Sequence, residues 1–187
     1  MANALKARTA LGAHDPLQVM VGALVVTERF DVALASVAAR RGRMGDLAKA
    51  AETIGLPLPE AARHASGEVY AAFWTAPEMW LVEAPFASHE LIAEVLKQAL
   101  GDAASVTEQT DAWVAFDLLA PDLAPLLERL CNVDFPAVVV GYATRTMFEH
   151  LGCYLIKHGR GTARLYGPRS SAKSLLHALE AAAHSAW

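Results

Sequence analysis

The sequence predicts an α+β fold of antiparallel sheets with helices packed on one face. Three observations lead there: strand-like runs come in pairs joined by tight turns, single helical stripes separate the pairs, and the chain lacks the strict strand-helix alternation of a doubly wound parallel sheet. At 187 residues the chain is long enough to bury roughly 70% of the surface its unfolded form exposes, so neither a metal nor a disulfide is needed to close a core.

Residues 1–20 read as a leader expected to order only against a partner, because Ala13 to Pro16 is turn-like and nothing earlier shows a period. Residues 17–26 are the most apolar early stretch, but too short for a membrane span and interrupted by Gly22; they suit a buried segment or a subunit-docking element. Residues 30–38 alternate as a strand packed on both faces, closed by the charges of residues 40–43. Gly45 and Asp46 open a helix with Leu47, Ala48, Ala51 and Ile54 on one stripe, and Gly55, Pro57 and Pro59 end it. Residues 69–74 and 79–83 form a hairpin around Pro77, which fits a turn and not a central strand.

Ser88 is placed as the N-cap of a helix buried along Leu91, Ile92, Val95, Leu96, Ala99 and Leu100, with Gly101 at its end. Residues 105–109 and 112–118 then read as a second hairpin turning through Thr110 and Asp111. In its second arm Ala112, Val114, Phe116 and Leu118 share one face, and Trp113, Ala115 and Asp117 the other. Pro121 suits a first helical residue before the stripe Leu123, Leu126, Leu127 and Leu130. Three strands follow, at residues 144–150, 153–157 and 162–166, and a helix over 170–183 buried along Leu175, Leu176, Leu179 and Ala183 closes the chain. This order describes two interlocked ferredoxin-like halves, about 21–104 and 105–187, within a single domain spanning 21–187.

Composition narrows the function classes. The chain is 54% hydrophobic and 19% charged; against an average near 25% charged, that excess of apolar residues points to buried interfaces. A net charge of -4 gives no overall attraction for nucleic acid or an anionic membrane. Cys131 and Cys153 match neither a disulfide framework nor a C-x-x-C motif, which fits a reducing, cytoplasmic setting.

No catalytic constellation emerges. There is no G-x-S-x-G, G-x-G-x-x-G or Walker loop, and Gly159-Arg160-Gly161 reads as a hairpin turn. His150 and Cys153 are three apart, but Gly152 and their strand-like context give no tetrahedral ligand set, so no catalytic, cofactor or metal residue is assigned. Between Leu151 and Leu179 stand Lys157, Arg160, Arg164, Arg169 and Lys173 with no acidic residue. Such a patch suits an anion, for example a polyglutamate tail, or an acidic partner subunit, against the plainer reading of a solvated face. Trp74, Trp80 and Trp113 are candidate interface aromatics, against the plainer reading of cross-strand packing.

Several stretches together resemble one family. They are Ala72-Phe73-Trp74-Thr75-Ala76-Pro77-Glu78-Met79-Trp80-Leu81-Val82-Glu83-Ala84-Pro85-Phe86, Ala104-Ser105-Val106-Thr107-Glu108-Gln109-Thr110-Asp111-Ala112-Trp113-Val114, Leu127-Glu128-Arg129-Leu130-Cys131, Arg145-Thr146-Met147-Phe148-Glu149-His150-Leu151-Gly152-Cys153-Tyr154 and Tyr166-Gly167-Pro168-Arg169-Ser170-Ser171-Ala172. From about Phe30 onward the chain resembles the gamma subunit of heterotetrameric sarcosine oxidase, itself similar to part of the folate-binding domain of the glycine-cleavage T-protein superfamily. The resemblance implies a noncatalytic structural subunit of a cytoplasmic complex with alpha, beta and delta partners. That complex would demethylate sarcosine oxidatively to glycine, pass the one-carbon unit to tetrahydrofolate and form hydrogen peroxide. FAD, FMN, NAD, tetrahydrofolate and zinc would belong to the other subunits, and none to this chain.

Compared with the T-protein relatives, Glu108-Gln109-Thr110 stands where an Asp-x-Ser often opens a strand, and Ala120 where a Gly commonly follows it. Two alternatives stand beside the main reading: the equivalent subunit of an N-methylglutamate dehydrogenase-type complex, and a stand-alone folate-binding protein of the T-protein type.

Overall fold

The computed structural model describes residues 7–187, so the first six residues of the expected leader lie outside the described residues. The elements in order are β1 (Gln18–Val21), β2 (Leu24–Arg29), β3 (Val32–Ala39), α1 (Met44–Thr53), β4 (His64–Ser66), β5 (Ala71–Ala76), β6 (Met79–Pro85), the single turn α2 (Phe86–His89), α3 (Ile92–Leu100), β7 (Ala104–Glu108), β8 (Trp113–Leu119), α4 (Ala124–Leu130), β9 (Ala143–Phe148), β10 (Leu151–Lys157), β11 (Thr162–Pro168) and α5 (Ala172–Ala186). The fold is α+β. One sheet runs β1-β2-β8-β11-β10-β9 and the other β4-β5-β6-β3-β7.

The chain forms two compact units that do not follow the expected halves. The first takes the described residues up to Phe30, then Trp113–Val138 and Thr146–Trp187; the second takes Asp31–Ala112 and Val139–Arg145. The physical reason is strand pairing. Residues 17–26, expected only as a buried or docking stretch, hold β1 and the start of β2, which pair antiparallel, and β2 adds to β8 in the register Val26↔Leu118 and Glu28↔Phe116. The N-terminal hairpin therefore belongs with the C-terminal strands. Of the expected leader, Gln18 to Met20 lie in β1, and Ala10 and Leu11 pack on the first unit's core.

In the second unit β3 pairs with both β6 and β7, and β5 and β6 make the hairpin expected around Pro77. Glu78 takes its left-handed position at φ 58, a conformation that strains any residue other than glycine. Alternation puts Ala33, Ala35 and Val37 of β3 and Trp80, Val82 and Ala84 of β6 on one face. There they join Leu47 and Ala51 of α1 and Ile92, Ala93, Leu96 and Leu100 of α3 in one core. Helix α3 starts three residues later than expected, with Leu91 and not Ser88 in the N-cap position. Ser88 does not cap it: its hydroxyl donates to Pro85 O at 3.3 Å inside the short turn α2, and the carboxylate of Glu108 reaches Ala93 N at 3.4 Å. Leu91 and Val95, expected in the core, are exposed because the helix is rotated to bury Ile92, Ala93 and Leu96.

The expected hairpin of residues 105–109 with 112–118 is corrected: β7 belongs to the second unit's sheet and β8 to the first unit's. The polar residues between them bend the chain from one sheet to the other. Glu108 accepts hydrogen bonds from Gln109 N at 3.2 Å and Thr110 N at 3.1 Å, and Leu34 N donates to the Thr110 hydroxyl at 2.9 Å. The local turn does close, Ala112 N donating to Gln109 O at 3.0 Å, but the strands on its two sides pair in different sheets.

In the first unit the alternation of β8 holds: Val114, Phe116 and Leu118 enter the core beneath α4 and α5, beside Val26, Leu155 and Leu165. Pro121 does not begin α4; Pro125 occupies the first turn, and the Asp122 carboxylate accepts Ala124 N at 3.0 Å. Gly161 is required by proximity, since a Cβ there would stand 1.9 Å from Ala120 O, whose residue donates its N–H to Gly161 O at 2.9 Å.

Candidate functional site

The candidate residues are those the sequence singles out, and backbone register decides where each one points. On the face of the first unit's sheet away from α4 and α5, β8 places Trp113, Ala115 and Asp117, and β11 places Arg164 opposite Asp117. Arg164 Nε lies 2.7 Å from Asp117 Oδ1 and its Nη2 3.1 Å from Oδ2, a bidentate pair. Arg29, one strand away, adds its Nη1 at 2.7 Å from Oδ2. Burial alone would raise the Asp117 carboxyl, but the hydrogen bonds and charges of Arg164 and Arg29 outweigh it and hold the group below its ordinary value. On the same face Trp113 meets Tyr154 of β10 with ring centroids 5.1 Å apart and a 59° tilt.

The five expected cations do not gather into one patch. Lys157 points to the helix side of the sheet, 7% exposed, where Nζ donates to Phe135 O at 2.6 Å and Val138 O at 2.7 Å and stands 4.6 Å from the centroid of the Phe135 ring. It is a structural anchor, which removes it from any docking surface. Arg164, next in register, points to the opposite face. Arg160 is exposed and pairs with Asp122 Oδ2 through Nε at 3.1 Å and Nη2 at 2.8 Å. The backbone N–H of Ala124, followed by Arg160, lowers the Asp122 carboxyl pKa. Arg169 donates to Arg8 O at 3.1 Å, and Lys173 is exposed on the first turn of α5.

The aromatic candidates divide in the same way. Trp80 is 5% exposed, with its ring N–H donated to Pro59 O at 2.8 Å, so it belongs to the second unit's core and not to an interface. Trp74 sits opposite it in register and half-buried against that core. Trp113 is half-buried.

Sequence reasoning missed the acids. Residues 151–179 hold none, but Asp117 and Asp122 come from β8 and the segment after it. The signal was present in the single carboxylate on the non-core face of an otherwise apolar strand, and only pairing order could assign it to Arg164.

The candidate residues make packing contacts and ion pairs. Burial pushes the Cys153 thiol up to about 12 and raises the half-buried Cys131 as well, the opposite of an activated nucleophile. Ser88 Oγ and His89 Nδ1 are 2.9 Å apart but exposed, and neighbours in sequence. Tyr70 packs edge-on against the His89 ring. Among the described residues no group of three or more His, Cys, Asp or Glu is placed to hold a metal ion, and no helix is long and apolar enough to cross a membrane.

No protein-family model matches the chain, and no curated protein matches it in sequence. Solved structures do share its fold. A chain of the heterotetrameric sarcosine oxidase from Corynebacterium sp. U-96, in complex with pyrrole 2-carboxylate, superposes with a TM-score of 0.76 at 22% identity, over 90% of this chain and 88% of that one. The glycine cleavage system aminomethyltransferase T from Bartonella henselae gives 0.62 at 12% identity over 85% of this chain. This chain spans only 46% of that aminomethyltransferase.

Proposed function

We propose that this chain is a noncatalytic structural subunit of a heterotetrameric, flavin-dependent sarcosine oxidase, seated against alpha, beta and delta partner chains. The observation that supports it most is coverage. The fold matches a chain of such a heterotetramer nearly end to end, whereas it corresponds to about half of a transferase of the T-protein type. The chemistry of the candidate residues agrees: Arg29, Arg164 and Arg160 are tied to Asp117 and Asp122, and the buried thiol is held protonated.

In this reading the complex demethylates sarcosine to glycine, passes the one-carbon unit to tetrahydrofolate and forms hydrogen peroxide. FAD, FMN, NAD, tetrahydrofolate and zinc sit in the other chains. A complex that oxidises N-methylglutamate would use this subunit in the same way, since the amine is chosen by the flavin-bearing chain.

Two measurements on purified protein test the proposal. Co-expression with the flavin-bearing chains is expected to give a stoichiometric complex, and calorimetry of the isolated chain with tetrahydrofolate is expected to give no heat of binding. Micromolar tetrahydrofolate binding by a chain that captures no partner would instead support the stand-alone T-protein type.

A further inference from the structure

We propose that Glu28 is a latch that fastens residues 8–17 across the first unit's core, so that this strap opens and closes as one element while the sheet beneath stays folded. Glu28 lies on β2, on the same face as the core residues Leu24 and Val26, and is 2% exposed. A buried carboxylate needs donors. Both of its recorded partners are strap amides: Leu11 N at 3.2 Å on one oxygen and Leu17 N at 3.1 Å on the other. One side chain therefore holds both ends of the loop 11–17, and the Glu28 backbone N–H adds a bond to Leu17 O at 2.8 Å.

The remaining fastenings are local or single. Thr9 N donates to Ala13 O at 3.0 Å and Gly12 N to Thr9 O at 2.9 Å, closing a turn in which Gly12 takes φ 84. Arg169 reaches Arg8 O at 3.1 Å, and Ala10 and Leu11 lean on the core. Lifting the strap strips the carboxylate of both donors at once, so the two amides are lost together and not in sequence. The closed strap also buries the Thr9 hydroxyl without a hydrogen-bond partner. That unmet bond favours the open state, and it is what makes the strap releasable.

Hydrogen exchange of the full chain, read by mass spectrometry, tests the latch without reference to the subunit reading. Amides of 8–17 are expected to exchange as one group, faster than those of β8 and β11. In Glu28→Ala their protection falls about tenfold or more with β8 and β11 unchanged, and Glu28→Gln, which keeps one acceptor, lies between. Thr9→Val, which removes the orphaned hydroxyl, raises strap protection about fivefold. If Glu28→Ala does not fold, Glu28→Gln and Thr9→Val decide. Wild-type protection of the strap in Glu28→Gln, no gain in Thr9→Val, or wild-type residues 8–17 exchanging like free chain overturns the latch.

Discussion

Arg164 holds Asp117 with both arms of its guanidinium, at 2.7 and 3.1 Å, although the two residues stand 47 positions apart in the chain. With Arg29 on the third side, Asp117 is the common acceptor of two arginines from neighbouring strands. Asp117→Asn keeps the shape and removes the charge, and is expected to destabilise the chain by about 1–3 kcal/mol at neutral pH in denaturant unfolding. The pH dependence has a definite sign. The native carboxyl titrates below its unfolded value, near 3.9, so the contribution is complete above that pH and is lost as pH falls through the lowered native value. Wild type minus Asp117→Asn stability is therefore expected to be flat at neutral pH and to shrink below about pH 4.

Lys157 is expected to behave as a core residue. Lys157→Met fills much of the same space but leaves Phe135 O and Val138 O without the ammonium that they accept from. A loss of about 2–5 kcal/mol follows from two unsatisfied carbonyls, and thermal unfolding measures it. Lys173→Met, at an exposed position, is expected to stay within about 0.5 kcal/mol of wild type.

Thiol labelling separates the cysteines. With Cys153 buried and its thiol pushed up to about 12, native protein at pH 8 is expected to leave it unmodified by iodoacetamide until the chain unfolds. Rapid native labelling of Cys153 would contradict its placement in the core.

Gly161→Ala places a methyl against the Ala120 carbonyl, where backbone and not a flexible side chain must move. A destabilisation of about 2 kcal/mol or more is expected, together with loss of exchange protection at Ala120 N, which donates to Gly161 O.

The sequence is legible where one period dominates. The alternation of β8 names its core face correctly because Val114, Phe116 and Leu118 meet a single apolar layer, and the stripes of α4 and α5 bury Leu126, Leu130, Leu175 and Leu179 as expected. Partner choice is not encoded in that period. Thr110 and Asp111 look like a hairpin turn and the turn closes, Ala112 N donating to Gln109 O at 3.0 Å, yet the next strand joins the other sheet. The β1-β2 pair escaped because residues 17–26 are apolar on both faces, without alternation. For the candidate site, five cations without acids in one segment read as a patch. Lys157, Arg164 and Arg160 have partners elsewhere in the fold: Lys157 two carbonyls, Arg164 Asp117 and Arg160 Asp122. Charge counted along a chain does not show which charges meet in space.

Native mass spectrometry of material purified through a tag on this chain, after co-expression with the flavin-bearing chains, tests the subunit proposal most directly. The expected result is one species containing one copy of this chain with three different partners, with flavin in the partners and none on this chain. A monodisperse monomer of about 20.0 kDa from the same preparation, with the flavin chains assembled without it, would contradict the proposal.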